Sequence, residues 1–210
     1  MTDAGGVPAR IGPNAVTRLL DVLERRCPRD ARARILARAG IARAPSGDAM
    51  IAEDVAVRLH RAVRAEVPRQ ADALLAEAGR QTARYILGHR IPGPARWLLR
   101  ALPVGLSARL LSRAIARHAW TFAGSARFSA AGPFGFEIRD NAFVRGTRGD
   151  GRLCTWHAAV IGELYRALVA KGCDCAETAC AVERAGDICR FELRTGTGPR
   201  RADRDMPRHP

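Results

Sequence analysis

The stretch that decides the fold opens at Leu153-Cys154-Thr155-Trp156-His157-Ala158-Ala159-Val160-Ile161 and runs to Lys171-Gly172. It continues through Glu177-Thr178-Ala179-Cys180 to Gly186-Asp187-Ile188-Cys189-Arg190-Phe191. The first part has a helical period. Leu153, Trp156, Val160, Ile161, Leu164, Leu168 and Val169 fall on one apolar side, and Lys171-Gly172 suits a helix C-terminus. The second part has the period of a strand. Ala176 to Ala185 and Ile188 to Thr195 predict a hairpin, with Thr178, Cys180 and Val182 on one face and Cys189, Phe191 and Leu193 on one face of the partner strand.

That hairpin can close through Ala185-Gly186 or through Gly186-Asp187, and either turn points Cys180 and Cys189 to the same side. With the first turn, Cys189 lies opposite Val182 and diagonal to Cys180, about 7–8 Å away between α-carbons. With the second the two are a further step apart, too far to share a metal. Cys154 opens the helix packed across that face, and His157 follows one turn later. Zinc accepts three thiolates and an imidazole at about 2.0–2.3 Å. Cys154, Cys180 and Cys189 are therefore candidate ligands, with His157 as the nitrogen donor. Core packing is the competing reading, because free cysteine is among the most buried residue types. The short two-residue cysteine spacings of zinc knuckles are missing apart from Cys154-x-x-His157. Cys173-x-Cys175 is expected in a loop, outside the cluster.

Outward from this stretch, the period is also two after Gly124. Ala126, Phe128 and Ala130 alternate with polar residues, and so do Phe134, Phe136 and Ile138 beyond Gly132-Pro133, which predicts a first hairpin. Asn141 to Arg152 reads as a Gly- and Arg-rich loop. From Pro13 to about Ala119 the pattern is helical, interrupted at Gly40, Pro68, Pro92-Gly93-Pro94 and Pro103. The expected fold is α+β: a helical N-terminal part, then a β-hairpin–helix–β-hairpin unit forming one antiparallel sheet covered by helices. The expected divisions are a flexible N-terminus at 1–12, a helical region at 13–103, a ligand-binding domain at 104–196 and a disordered tail at 197–210.

The 210 residues suffice for one good core, and no apolar run is long enough to span a membrane. The N-terminus lacks a secretory pattern, so a cytoplasmic location and reduced thiols are expected. The formal net charge of +14 invites a nucleic-acid reading, but all except Lys171 of the 35 basic residues are arginines spread along the helices. Few aromatics are available for base stacking, so nucleic acid is not an expected partner. Neither Gly-bearing stretch, at Gly88 to Gly93 or Gly146 to Gly151, sits between a strand and a helix as a dinucleotide fingerprint requires, and no G-x-S-x-G elbow occurs. Glu163 and Glu177 are candidate acids or bases, with solvated glutamates as the plainer account. His118 and His157 could each offer a nitrogen to a metal-centred ring.

Cys154-x-Trp156-His157-Ala158-Ala159-Val160-Ile161, followed by Glu177-x-x-Cys180 and Gly186-Asp187-x-Cys189-x-Phe191, resembles the 4-vinyl reductase domain family over roughly residues 104 to 196. The resemblance implies a ligand-binding α+β fold shared with transport-particle subunits and nitric-oxide-sensing haem domains. It implies a part in bacteriochlorophyll biosynthesis, the reduction of the 4-vinyl (8-vinyl) group of a divinyl precursor such as divinyl protochlorophyllide. It also implies a metal role for Cys154, Cys180 and Cys189, without naming the metal; zinc is the candidate from the residues alone.

Hydride delivery to a vinyl group needs a reduced cofactor, and the sequence identifies no reductant. A vinyl reductase and a non-catalytic tetrapyrrole carrier or assembly factor therefore stand side by side, and a trafficking-type interaction module comes third. His157, Trp156, Phe128, Phe136 and Phe191 are the expected ligand-binding residues, with Arg127, Arg139 or Arg152 at the rim for a ring carboxylate. The expected partners are a magnesium tetrapyrrole, another bacteriochlorophyll-biosynthesis enzyme, a peripheral contact with the photosynthetic membrane, and a second copy in a homodimer.

Overall fold

The computed structural model describes residues 9–47, 49–149, 151–183 and 188–196. The expected tail at 197–210, residues 1–8 of the expected flexible start and both candidate hairpin turns lie outside the described residues.

The chain runs β1 (Arg10–Ile11), α1 (Asn14–Arg26), α2 (Arg29–Ala39), β2 (Ile51–Ala52), α3 (Glu53–Glu66), α4 (Pro68–His89), α5 (Gly93–Ala101), α6 (Val104–Arg117) and α7 (Trp120–Ala123). It continues through β3 (Arg127–Ala130), β4 (Gly135–Arg139), α8 (Thr155–Leu168), β5 (Cys173–Ala179) and β6 (Ile188–Thr195). The fold is α+β. The helix boundaries follow the punctuation in the sequence: Gly40 ends α2 in the left-handed conformation (φ 65°), and Pro68 and Pro103 stand at the starts of α4 and α6.

The main sheet is fully antiparallel in the order β3-β4-β6-β5, so the last strand in sequence is internal and Phe136 pairs with Phe191. Helix α8 covers one face of this sheet. It is apolar on nearly every side because α4 lies on its far side, and α1 packs on α4 in turn. Two close approaches fix these layers. A methyl on Gly162 would meet Cys175 Cβ at 3.1 Å, and one on Gly79 would meet the Trp156 carbonyl oxygen at 2.5 Å. One continuous core runs from Ile11 to Leu193, across the division expected at 103/104.

Three elements depart from the sequence reading. Residues 9–12, expected to be loose, are tied down: Ile11 is fully buried and pairs with Ile51, and Gly12 donates to the Thr121 carbonyl. A two-residue ribbon has no periodicity to read. Strand β5 starts at Cys173 rather than Ala176 and ends at Ala179, so Cys173 and Cys175 belong to the sheet. A β-bulge between Glu177 and Ala179 then reverses the alternation, which turns both Glu177 and Cys180, three residues apart, toward the core. The last β5–β6 pair, Ala179 with Arg190, brings Cys180 rather than Val182 level with Cys189, whose partner on the other side is Ile138 of β4.

Candidate metal centre and the histidine beside it

Cys154 is the residue at the N-terminal end of α8, Glu177 and Cys180 flank the bulge that ends β5, and Cys189 lies on β6. The fold brings them to one point. One donor atom from each lies within 4.8 Å of all the others, and all four residues are buried. The Sγ atoms of Cys154 and Cys189 are 3.3 Å apart, and the Cys154 amide donates to Glu177 Oε2 at 2.8 Å. Asn141 supplies a further donor, its Nδ2 lying 3.3 Å from Cys154 Sγ and 3.9 Å from Cys189 Sγ. All six cysteines are free thiols.

The electrostatics describe a cluster short of positive charge. Hydrogen bonds with Cys154 and Cys180 draw the Cys189 thiol down to about 4. Contacts with Cys180 and Cys189, added to burial, hold Cys154 well above its ordinary value. Burial, then the contact with Cys180, pushes Glu177 up to about 8. Glu177 Oε1 is buried without a partner. A cation at the centre of the four would satisfy that oxygen and favour ionisation of the acids around it.

These residues fit zinc. A tetrahedral ion with sulfur ligands at about 2.3 Å places neighbouring donors about 3.8 Å apart. The cluster is already near that size, and cysteine thiolates and glutamate carboxylates are both zinc ligands. The fourth group that comes within reach of the three thiols is the Glu177 carboxylate rather than the expected His157 imidazole. Glu177 was legible only as a candidate acid or base because regular alternation puts it on the opposite face from Cys180. Asn141 sat in a stretch read as loop, and the buried Ala142-Phe143-Val144 beside it was the available signal.

His157 points elsewhere. Its ring lies among Phe143 (5.1 Å between centroids), Phe191 (6.3 Å) and Phe122 (6.5 Å). Its Nε2 is buried with no partner, and the Phe122 backbone partly opposes the effect of burial on the ring. With the ring proton on Nδ1, Nε2 presents a free lone pair. Burial lowers the His157 pKa to about 4, so the ring is neutral at physiological pH. Trp156 stacks on Phe143 and meets His60 edge-on, and its Nε1 is likewise buried and unpartnered.

Of the other residues expected to bind ligand, Phe136 and Phe191 are fully buried under α8, and Phe128 is half-buried against Phe122 and Phe136. These rings pack on one another as core rather than facing outward as a flat surface. Arg127 and Arg139 are engaged by Asp140 and Glu137, and Arg152 is exposed. Glu163 is held by Arg84 and Arg166 away from the cysteines, and His118 is an exposed residue bonded to the Ala114 carbonyl.

Among solved structures the fold class is that of H-NOX domains. A structure from work on heme distortion in the H-NOX family matches 93% of this chain and 100% of its own, with a TM-score of 0.55 and 10% identity. An unliganded Fe(II) H-NOX mutant from K. algicida matches 87% and 95%, with the same TM-score and identity. At that identity the likeness concerns the fold alone. No protein-family model matches the chain. Two curated relatives do: the bacteriochlorophyll synthase 23 kDa chain of Cereibacter sphaeroides, 45% identical over 92% of this chain and 94% of that protein, and the one of Rhodobacter capsulatus, 39% identical over 90% and 92%. The chain belongs to this family of bacteriochlorophyll-biosynthesis proteins. Among the described residues, no helix is long and apolar enough to cross a membrane.

Proposed function

We propose that this protein binds a magnesium tetrapyrrole of bacteriochlorophyll biosynthesis and acts at the step that reduces its 4-vinyl (8-vinyl) group. The observation that carries the reading is His157: a buried, neutral imidazole whose Nε2 has no partner, amid aromatic rings. That is the form of histidine that ligates a metal, and a ring-bound magnesium is a metal that arrives with a flat apolar ligand. The family's name and the H-NOX fold support the reading.

In this reading the cysteine cluster is a zinc brace. Cys154, Cys180, Cys189 and Glu177 would hold the ion, which supplies charge neutralisation and a cross-link. Four protein donors leave no open position, the mark of a structural rather than a catalytic site. What the brace fixes is the start of α8, three residues before His157, against the ends of β5 and β6. The chain's own residues then bind and orient the pigment, while the hydride comes from a reduced cofactor or a partner enzyme.

The test incubates protein, a divinyl magnesium tetrapyrrole and reduced nicotinamide with nothing else. Conversion of the vinyl to an ethyl group marks the chain as the reductase. Binding without conversion marks it as the carrier that presents substrate to a separate enzyme. Absence of binding removes both.

A further inference from the structure

Most of the large apolar side chains left exposed in the described residues gather in one segment: Trp97 and Leu98 on α5, Val104, Leu106 and Leu110 on α6, and Trp120 just beyond. Helix α5 buries no residue fully, and Trp97 is 72% exposed. On α6 the buried positions are Ser107, Ala108, Leu111, Ser112 and Ile115. At 100° per residue, Leu106, Leu110, Arg113 and Arg117 therefore run in a row along the opposite side. The row is oily at one end and cationic at the other.

The charge around this face is of one sign. From Ala78 to Phe136 the chain has no aspartate or glutamate, while Arg96, Arg100, Arg109, Arg113 and Arg117 fall on α5 and α6. None of these five is paired with a carboxylate among the described residues. Elsewhere arginines pair freely, as Arg34 and Arg38 do with Glu66. We infer that α5 and α6 form a docking surface for an anionic lipid bilayer, with Trp97, Leu98, Leu106 and Leu110 entering the interface and the arginines meeting the headgroups. Exposed tryptophans at the edge of an apolar, Arg-bearing helical face have the composition of an interfacial anchor. A second copy of the chain fits poorly, because a two-fold contact would set arginine against arginine with no acid in the patch to answer it.

Vesicle co-sedimentation tests this with the full chain, using phosphatidylcholine alone and phosphatidylcholine mixed with phosphatidylglycerol. The protein is expected to sediment only with the anionic vesicles and to be released by salt. Its tryptophan emission should shift to the blue on binding, a signal from Trp97 and Trp120 because Trp156 is already buried. Trp97→Ala with Leu98→Ala should reduce partitioning at least tenfold, on the order of a lost interfacial anchor. Arg113→Gln with Arg117→Gln should reduce it about fivefold per arginine. Arg25→Gln with Arg43→Gln, exposed but outside the patch, serves as the charge-matched control. The inference is overturned if neither vesicle binds or if patch and control variants behave alike. It is also overturned if the patch variants change only the oligomeric state of lipid-free protein, which would make the face a protein contact.

Discussion

Asn141 Nδ2 lies 3.3 Å from Cys154 Sγ, and its orientation is fixed by the Phe143 amide, which donates to Asn141 Oδ1 at 3.1 Å. The side chain is thus a preset N–H donor to sulfur, the kind of support that stabilises a thiolate ligand. Asn141→Ala should weaken zinc binding about 10–100-fold. Competition with a chromogenic chelator measures this, and an unchanged affinity would deny Asn141 the role.

Zinc itself is the second expectation. Purified protein should carry one ion per chain, and Cys180→Ser or Glu177→Gln should lose it. Loss of a metal cross-link costs on the order of 3 kcal/mol, a fall in melting temperature of roughly 10 °C for a chain this size. Elemental analysis of wild-type protein finding less than about a tenth of a zinc per chain would reduce the cluster to packed thiols.

The two buried histidines give a pH dependence whose sign is fixed. Burial lowers His157 to about 4 and His60 to about 3, both below the unfolded value near 6.5. A depressed pKa contributes stability that is present above the unfolded value and lost as pH falls through the folded one. Stability should therefore decline from pH 6.5 toward pH 4, by on the order of 3 kcal/mol for His157 alone. Urea unfolding across that range checks it, and a flat profile would contradict the neutral, buried rings.

A pair of glycines on α4 separates close packing from helix propensity. A methyl on Gly79 would meet the Trp156 carbonyl oxygen at 2.5 Å and Ala159 Cβ at 2.8 Å, whereas one on Gly88 would meet nothing within 4 Å. Gly79→Ala should destabilise by about 1–3 kcal/mol because α4 and α8 must part. Gly88→Ala should stabilise by up to about 1 kcal/mol. Equal effects in thermal melts would mean that the two helices do not approach so closely.

The elements legible in the sequence were those with a sustained period or a strong stop: α1 to α6, α8, both strands of the first hairpin, and β6. The three cysteines were legible as a group because Cys154 opens α8 while Cys180 follows the end of β5 and Cys189 lies on the neighbouring β6. The partners that complete the group were not. Glu177 joins through a bulge, which breaks the alternation that strand reading relies on, and Asn141 joins from a turn whose buried residues have no period. His157 is legible both as a fourth donor beside the thiols and as a nitrogen for a metal-centred ring, and the four donors that converge do not include it. One helical turn after Cys154 is near in sequence, yet the ring lies against Phe122 and Phe143 rather than toward the sulfurs.

The most direct measurement is an absorption titration of wild-type protein and His157→Ala with a magnesium divinyl tetrapyrrole, with and without added imidazole. The account predicts a shifted pigment spectrum with wild type, its loss in the variant, and recovery when imidazole occupies the vacated place. A spectrum unmoved at micromolar protein, or one that moves equally with alanine at 157, would contradict it.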